Sequence, residues 1–281
     1  MSYKTIVVHV NESRHGANRV KLAAAIAAEH DAHLIGVATS ALPASFYMPG
    51  IGTGAAEGLA SYLAFAKEGA LTALAVFEEF AKQAGVNAIE RRLVEDETAG
   101  ALCLEGRYCD LLIIGQNDPD ELLMAHPADM QNYVLTHSPS PVLFIPYASD
   151  FKTIGKRIVV AWDGSIEAAR AIAGAMPFLQ RADIVQIVVF NADQTPQRHG
   201  EQPGADIALH IARHGAKVEV SAQTTDANMD IGNALLSHLA DFGADLVVMG
   251  GFGHSRLREL MLGGVTRTML ATMTVPVLMA H

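Results

Sequence analysis

The sequence has few of the residues that stabilise small secreted proteins. Among its 281 residues are two cysteines, Cys103 and Cys109, which lack both the CxxC spacing and a paired histidine signature. We interpret both as buried free thiols. The sequence also lacks a cationic apolar leader, so we expect a reducing, cytoplasmic location.

Long apolar runs and an excess of positive charge are missing too. No uninterrupted apolar run is long enough to cross a bilayer, so no membrane span is expected. The formal net charge of -10 argues against non-specific binding of nucleic acid. Residues 1–150 contain 9 Lys+Arg and 18 Asp+Glu, whereas residues 151–281 contain 11 and 12. An anionic ligand should therefore prefer the second half.

What the sequence does contain is an internal repeat. Half of the residues are hydrophobic, enough for one large or two small domains. The matching segments are 3–13 with 155–165, 110–115 with 245–250, and 140–143 with 275–278. In both copies, short apolar runs alternate with helical patterns, which predicts parallel sheets with helices on both faces.

The predicted elements follow the same order in both halves. A helix capped by Ser13 should follow the first strand of the first copy. The strands are predicted at Thr5–Val10, His33–Thr39, Ala88–Val94, Leu111–Ile114 and Val142–Ile145, then at Arg157–Ala161, Ile184–Phe190, Lys217–Ala222, Leu246–Met249 and Val275–Met279. Ligands of such sheets bind beyond the carboxyl ends of the strands, near the point where the strand order reverses.

A cluster of glycines follows the strand at Leu246–Met249. Gly250, Gly251 and Gly253 come first, and Gly263 and Gly264 follow just before a short helix. Glycines let backbone N–H groups approach a ligand closely, and a helix start favours phosphate. The segment has neither the Gly-Lys-Ser/Thr ending of a Walker loop nor the third glycine of a dinucleotide fingerprint.

The spacing of these glycines resembles the nucleotide loop of the universal stress protein family. That loop runs Gly, two residues, Gly, nine residues, Gly, then Ser or Thr. Gly250, Gly253 and Gly263 match its glycines, whereas Gly264 stands at the hydroxyl position, where Thr266 is a candidate substitute. The resemblance implies ATP or ADP, with or without Mg²⁺, as the ligand.

The resemblance covers nearly the whole chain. It implies an α/β fold of two tandem doubly wound domains, of the adenine nucleotide alpha hydrolase type, at 1–147 and 155–281. In the family, the adenosine is bound by an acid after the first strand and by the end of the second strand. Asp163 corresponds to that acid, and Phe190 corresponds to the end of the second strand. The predicted site is Asp163, Phe190, Gly250, Gly253, Arg256, Gly263, Gly264, Val265 and Thr266.

Asp163 has a structural interpretation as well, because an Asp just before a helix often bends or caps the entry turn. The resemblance also implies that Val142–Ile145 and Val275–Met279 join the two halves as a pseudo-dimer. Further homodimerisation through the same strands or exposed helices is a second expectation.

The first half departs from the family pattern. Asn11 replaces the acid, and no second or third glycine follows Gly115 at the family spacing. Asp118, Asp120 and Glu121 should repel phosphate. We interpret this half as a degenerate domain.

Other functions stay open at this point. One is a ligand-free scaffold whose glycines only shape a surface, and another is a carrier of a small ligand under Phe46, Tyr47 and Met48. No catalytic constellation stands out, so we predict no enzyme beyond slow hydrolysis of bound nucleotide. His210 and His214 lack a third ligand in sequence, so no metal site is predicted.

Overall fold

The computed structural model describes residues 2–40, 55–120, 130–148, 150–194, 201–225, 229–252 and 264–281. These residues form two compact units, Ser2–Val134 and Leu135–His281. Each unit alternates strands with helices, as the apolar pattern predicts. The predicted boundaries at residues 147 and 155 are divisions of the sequence repeat and stay a prediction.

In the N-terminal unit, four parallel strands lie in the order β3-β2-β1-β4. Helices α1 and α2 pack against each other and against β2. The bounds are β1 Thr5–His9, α1 Gly16–His30, β2 His33–Thr39, α2 Ala55–Gln83, β3 Ala88–Val94, α3 Thr98–Glu105 and β4 Leu111–Gly115; α4, Met130–His137, runs on into the second unit.

In the C-terminal unit, the strand order is β5-β10-β9-β6-β7-β8. All neighbours are parallel except β5 and β10, which are antiparallel, with Leu278 opposite Leu143. The pairing expected between these two segments is present. The bounds are β5 Val142–Ile145, β6 Arg157–Ala161, α5 Ile166–Leu179, β7 Ile184–Phe190, α6 Ala205–Arg213, β8 Val218–Gln223, α7 Ile231–Phe242, β9 Leu246–Gly250, α8 Val265–Thr272 and β10 Val277–Ala280.

In each copy, an aspartate side chain accepts backbone hydrogen bonds from the start of the first strand. Asp245 accepts hydrogen bonds from the backbone N–H groups of Gly155, Lys156 and Arg157 at 2.9–3.0 Å. Asp110, at the matching position of the first copy, accepts from Lys4 at 2.6 Å and Thr5 at 2.9 Å. Asp245 immediately precedes β9 and Asp110 immediately precedes β4. Their hydrogen bonds therefore set the positions of β6 and β1 beside these neighbouring strands.

One expectation needs correction. Ser13 does not cap α1, because its hydroxyl donates to Asn11 Oδ1 at 2.8 Å and His15 is the N-cap, with no side-chain cap hydrogen bond. A second observation concerns the membrane. Within α2, Gly58–Gln83 is long and apolar enough to cross a membrane by length and composition alone, although charged residues interrupt it.

That property of α2 is weak support for a membrane span, since core helices of globular proteins share it. One stripe of α2 packs inside the N-terminal unit, and its members are spaced three, four or seven residues apart as on one helical face. The buried residues of this stripe are Ala70, Ala73, Leu74, Phe77 and Ala81.

Candidate functional site

The candidate site lies where the strand order of the C-terminal unit reverses. Strands β6 and β9 are parallel neighbours, with Ala161 opposite Met249. The chain runs from β6 toward β7 on one side and returns to β9 on the other, so a crevice is expected at their carboxyl ends. Asp163 and Gly250 both lie at this edge of the sheet.

Asp163 shapes the turn that leads into α5. Its Oδ1 accepts a hydrogen bond from the Ser165 N–H at 3.0 Å, and Ser165 Oγ accepts from the Ala168 N–H at 3.1 Å as the N-cap of α5. The turn also needs Gly164, whose φ is 73°. The structural role considered for Asp163 is therefore present, while contact with a ligand stays a prediction.

Phe190 reaches the same edge from β7. Ala161 lies opposite Val188, so Asp163 and Phe190 each stand two residues beyond paired positions of adjacent strands. The half-buried Phe190 ring lies edge-on to His238, with 6.4 Å between the ring centroids. Burial lowers the pKa of His238, which favours a neutral imidazole beside this ring. An aromatic side chain therefore lies at the same sheet edge as Asp163.

Gly250 is a glycine because of packing. A Cβ at this position would lie 2.6 Å from the backbone nitrogen of Ala168 and 3.0 Å from the carbonyl carbon of Glu167. The last residue of β9 thus touches the first turn of α5, and no side chain fits between them. This contact explains the first glycine of the loop without a ligand.

Thr266 has a role that its sequence position does not indicate. It is 3% exposed, and its Oγ1 accepts a hydrogen bond from the Phe252 N–H at 3.1 Å. The hydroxyl proposed as a substitute phosphate ligand therefore connects α8 to the residue that follows Gly251.

The first turn of α8 offers backbone donors. Gly264 is the N-cap, and its carbonyl accepts from the N–H groups of Arg267 at 2.8 Å and Thr268 at 3.2 Å. The N–H groups of Val265 and Thr266 come earlier in the helix, where an α-helix supplies no acceptor. Together with the positive end of the helix dipole, they favour an anion at this position.

Three predicted site residues, Gly253, Arg256 and Gly263, lie outside the described residues, as does the segment Phe46–Met48. Their roles stay predictions. The structure brings Asp163, Phe190 and Gly250 to one sheet edge and places Gly264, Val265 and Thr266 at the start of α8, with Thr266 bonded to the loop after β9.

The matching edge of the N-terminal unit is occupied by Arg19. This residue is 4% exposed, its Nε donates to the His9 carbonyl at 2.8 Å, and its Nη2 donates to Asn11 Oδ1 at 2.6 Å. A Cβ on Gly115 would lie 2.4 Å from its Nη1. Sequence reasoning missed Arg19, although the repeat aligns it with Ala171 and so shows an arginine on an apolar helix face.

Asp118 lies in the same region, after β4. Its Oδ2 is 2.8 Å from Arg14 Nη2 and 3.0 Å from His15 Nε2. A backbone hydrogen bond from Asp120, together with His15 and Arg14, lowers the pKa of Asp118. The carboxylate is therefore ionised at neutral pH and already bonded to the Arg14 and His15 side chains, which immediately precede α1.

Cys103 and Cys109 are half-buried, so the expectation of buried thiols is only partly right. Burial, assisted by the charge of Glu97, raises the pKa of Cys103 to about 11. Alkylation by iodoacetamide should therefore accelerate about tenfold per pH unit from pH 7 to 10, because only the thiolate reacts. Mass spectrometry of a Cys109→Ser variant measures this rate, and a plateau near pH 9 would contradict the raised pKa.

Metal donors do not converge in the described part of the chain, where no group of three or more His, Cys, Asp or Glu is placed to hold an ion. The rings of His210 and His214 are edge-on to each other, with 5.0 Å between their centroids.

Comparison with known proteins gives the family. The model of the universal stress protein family matches residues 2–146 and 155–281. Universal stress protein Slr1230 of Synechocystis sp. is 28% identical over 178 residues, which are 62% of this chain and 58% of that protein. Universal stress protein YxiE of Bacillus subtilis is 33% identical over 81 residues, 29% of this chain and 55% of that protein.

The chain thus spans somewhat over half of the length of each of these relatives. Among solved structures, a universal stress protein from Archaeoglobus fulgidus has a TM-score of 0.74 at 15% identity, covering 98% of this chain and 94% of its own. This likeness concerns the fold. With the family model matched over both halves, the chain belongs to the universal stress protein family.

Proposed function

We propose that the C-terminal repeat binds an adenine nucleotide, ATP or ADP, and that the protein acts as a nucleotide-responsive module of a stress response. The observation that supports the proposal is that α8 begins next to the residue after Gly251, so its first N–H groups, which have no acceptor within the helix, lie close to the end of β9. Asp163 and Phe190 flank the crevice on one side, and Gly250 leads into the loop on the other. Adenosine would lie against Phe190, with the phosphates toward Val265 and Thr266.

The near-neutral charge of residues 151–281 supports an anionic ligand in this half. Gly264 adds no side chain at the helix start, so this residue does not hinder a phosphate oxygen that approaches the half-buried Val265 N–H group. With the family hydroxyl lost at Gly264, the main-chain N–H of Val265 is the principal phosphate donor that we propose among the described residues. Mg²⁺, where present, would be held by the nucleotide itself and by water.

We further propose that the N-terminal repeat, residues 1–147, binds no nucleotide. The Arg19 side chain fills the space against Gly115, and Asp118 places a paired carboxylate where phosphate would have to lie. One nucleotide per chain is therefore the expected stoichiometry. Cytoplasmic location and homodimerisation remain part of this proposal.

The sharpest test removes one donor without disturbing the helix. Val265 is the first residue of α8, where proline fits because its missing N–H has no helical partner. Gly264 has φ -51° and ψ 134°, an extended conformation that tolerates a following proline. Val265→Pro should therefore retain thermal stability while weakening ATP and ADP binding about tenfold to a hundredfold, as expected for a lost hydrogen bond to a charged group.

Isothermal titration with ATP, ADP and AMP, with and without Mg²⁺, measures the effect. Val265→Ala is the matched control, because it shortens the same side chain and keeps the N–H group. Equal ATP affinity in the two variants would contradict the proposed phosphate position. Absence of any heat or thermal shift with the unmodified protein would favour the rival function, a ligand-free scaffold.

A further inference from the structure

The residue after Gly251 has an unusual backbone conformation. Three described non-glycine residues have positive φ: Asp31, Asn191 and Phe252. Asp and Asn tolerate this region because their short side chains bond locally, whereas phenylalanine does not. Phe252, with φ 56°, is therefore held in place by its surroundings.

Two elements hold the backbone on either side of this residue. The Gly251 N–H donates to the Ala280 carbonyl at 2.9 Å, at the end of β10. The Phe252 N–H donates to the buried Thr266 hydroxyl at 3.1 Å. Because Thr266 is almost inaccessible, water competes poorly for this bond.

The third contact comes from a side chain. His281 Nδ1 lies 2.9 Å from the Gly251 carbonyl, which can only accept, so Nδ1 carries the hydrogen. The His281 ring is edge-on to the Phe252 ring at 6.5 Å. Arg170 Nη1 donates to the His281 carbonyl at 3.0 Å and so ties His281 to α5.

In the first repeat, a different contact holds the end of the corresponding strand, β4. Gln131 occupies the Thr266 position of the repeat, and its Nε2 donates to the Gly115 carbonyl at 2.9 Å. In the first repeat, Gln131 thus bonds to Gly115, the last residue of β4, which matches Gly250 of the second repeat. The contacts through Thr266, Ala280 and His281 therefore act on the two residues that lead directly into the glycine loop.

We propose that His281, held by Arg170, is a positioning residue for the nucleotide site. It fixes the Gly251 carbonyl and the left-handed Phe252, whose N–H is bonded to Thr266, and thereby holds the end of β9 against the first turn of α8. A donor group that is already held in place loses less conformational freedom when it binds a ligand, so the affinity is higher. This inference rests on the proposed function, since it concerns affinity for the same nucleotide.

The test uses the full chain and two substitutions at one position. His281→Ala removes the donor, whereas His281→Asn retains an N–H group at about the place of Nδ1. We expect ATP affinity to fall about fivefold in His281→Ala and to return to within about twofold of the original in His281→Asn. His210→Ala, on the exposed face of α6, is the matched control and should bind ATP normally.

A ligand-free measurement separates the positioning role from general destabilisation. In ¹H–¹⁵N spectra, His281→Ala should shift the amide resonances of Gly251 and Phe252, with an unchanged melting temperature. Unmodified protein that binds no ATP would overturn the proposed function. Unmodified protein that binds ATP, with equal affinity in His281→Ala, would overturn the positioning role alone.

Discussion

Replacement of Gly250 by alanine is expected to lower the free energy of unfolding by about 2–3 kcal/mol. The added Cβ would meet the backbone nitrogen of Ala168 at 2.6 Å, and a helix backbone cannot turn aside as a flexible side chain can. Strand β9 and helix α5 must therefore separate. Because this contact lies under the proposed site, ATP binding should be lost as well.

Chemical denaturation monitored by circular dichroism measures the stability change. Gly58→Ala is a suitable control, since nothing lies within 4 Å of a Cβ there and alanine favours an exposed helix. It should leave the unfolding transition unchanged or raise it slightly. A Gly250→Ala protein as stable as the original would show that β9 and α5 are packed more loosely than the contact indicates.

Asp245→Ala is expected to lower the free energy of unfolding by about 2–3 kcal/mol, because three backbone donors at the start of β6 lose a charged acceptor. The loss is smaller than three full hydrogen bonds, since two of these donors are exposed and can bind water. Asp245→Asn keeps one carbonyl oxygen and should show an intermediate loss.

The first repeat supplies the comparison. Asp110 accepts only two backbone N–H groups, from Lys4 and Thr5, and lies on the surface. Asp110→Ala should therefore cost about half as much as Asp245→Ala in the same denaturation experiment. Equal losses at the two positions would mean that the number of accepted bonds does not set the contribution.

Much of the fold could be predicted from the sequence because apolar periodicity and burial have the same cause. Leu246, Val247 and Val248 form an uninterrupted apolar run, and all three are fully buried in a strand with neighbours on both sides. The repeat added the expectation that both halves have the same succession of strands and helices, whereas the neighbour order within each sheet comes from the structure. The family resemblance then indicated the sheet edge at which the site should lie.

Local hydrogen bonds could not be predicted in the same way. Ser13 and Ser165 occupy matching positions, yet only Ser165 caps its helix, because Ser13 bonds to Asn11 instead. The position of Thr266 makes it a candidate substitute for the family hydroxyl, while in the structure its hydroxyl accepts the Phe252 N–H. Such choices depend on competition between nearby donors and acceptors, which a residue pattern does not reveal.

Long-range contacts were the hardest part of the site to foresee. His281 lies thirty residues from Gly251 in sequence, and Arg170 lies still farther from His281. No motif connects them. Arg19 could have been recognised as unusual, but where its guanidinium lies depends on the space left by Gly115.

The pairing of β5 with β10 has a consequence for synthesis of the chain. Strand β5 is made at the end of the first repeat, yet its antiparallel neighbour, β10, emerges from the ribosome only after the other strands of the second repeat. Residues 2–134 already contain a complete four-stranded sheet and can begin to fold before then. The contact between β5 and β10 must close a very long loop, so it should form late.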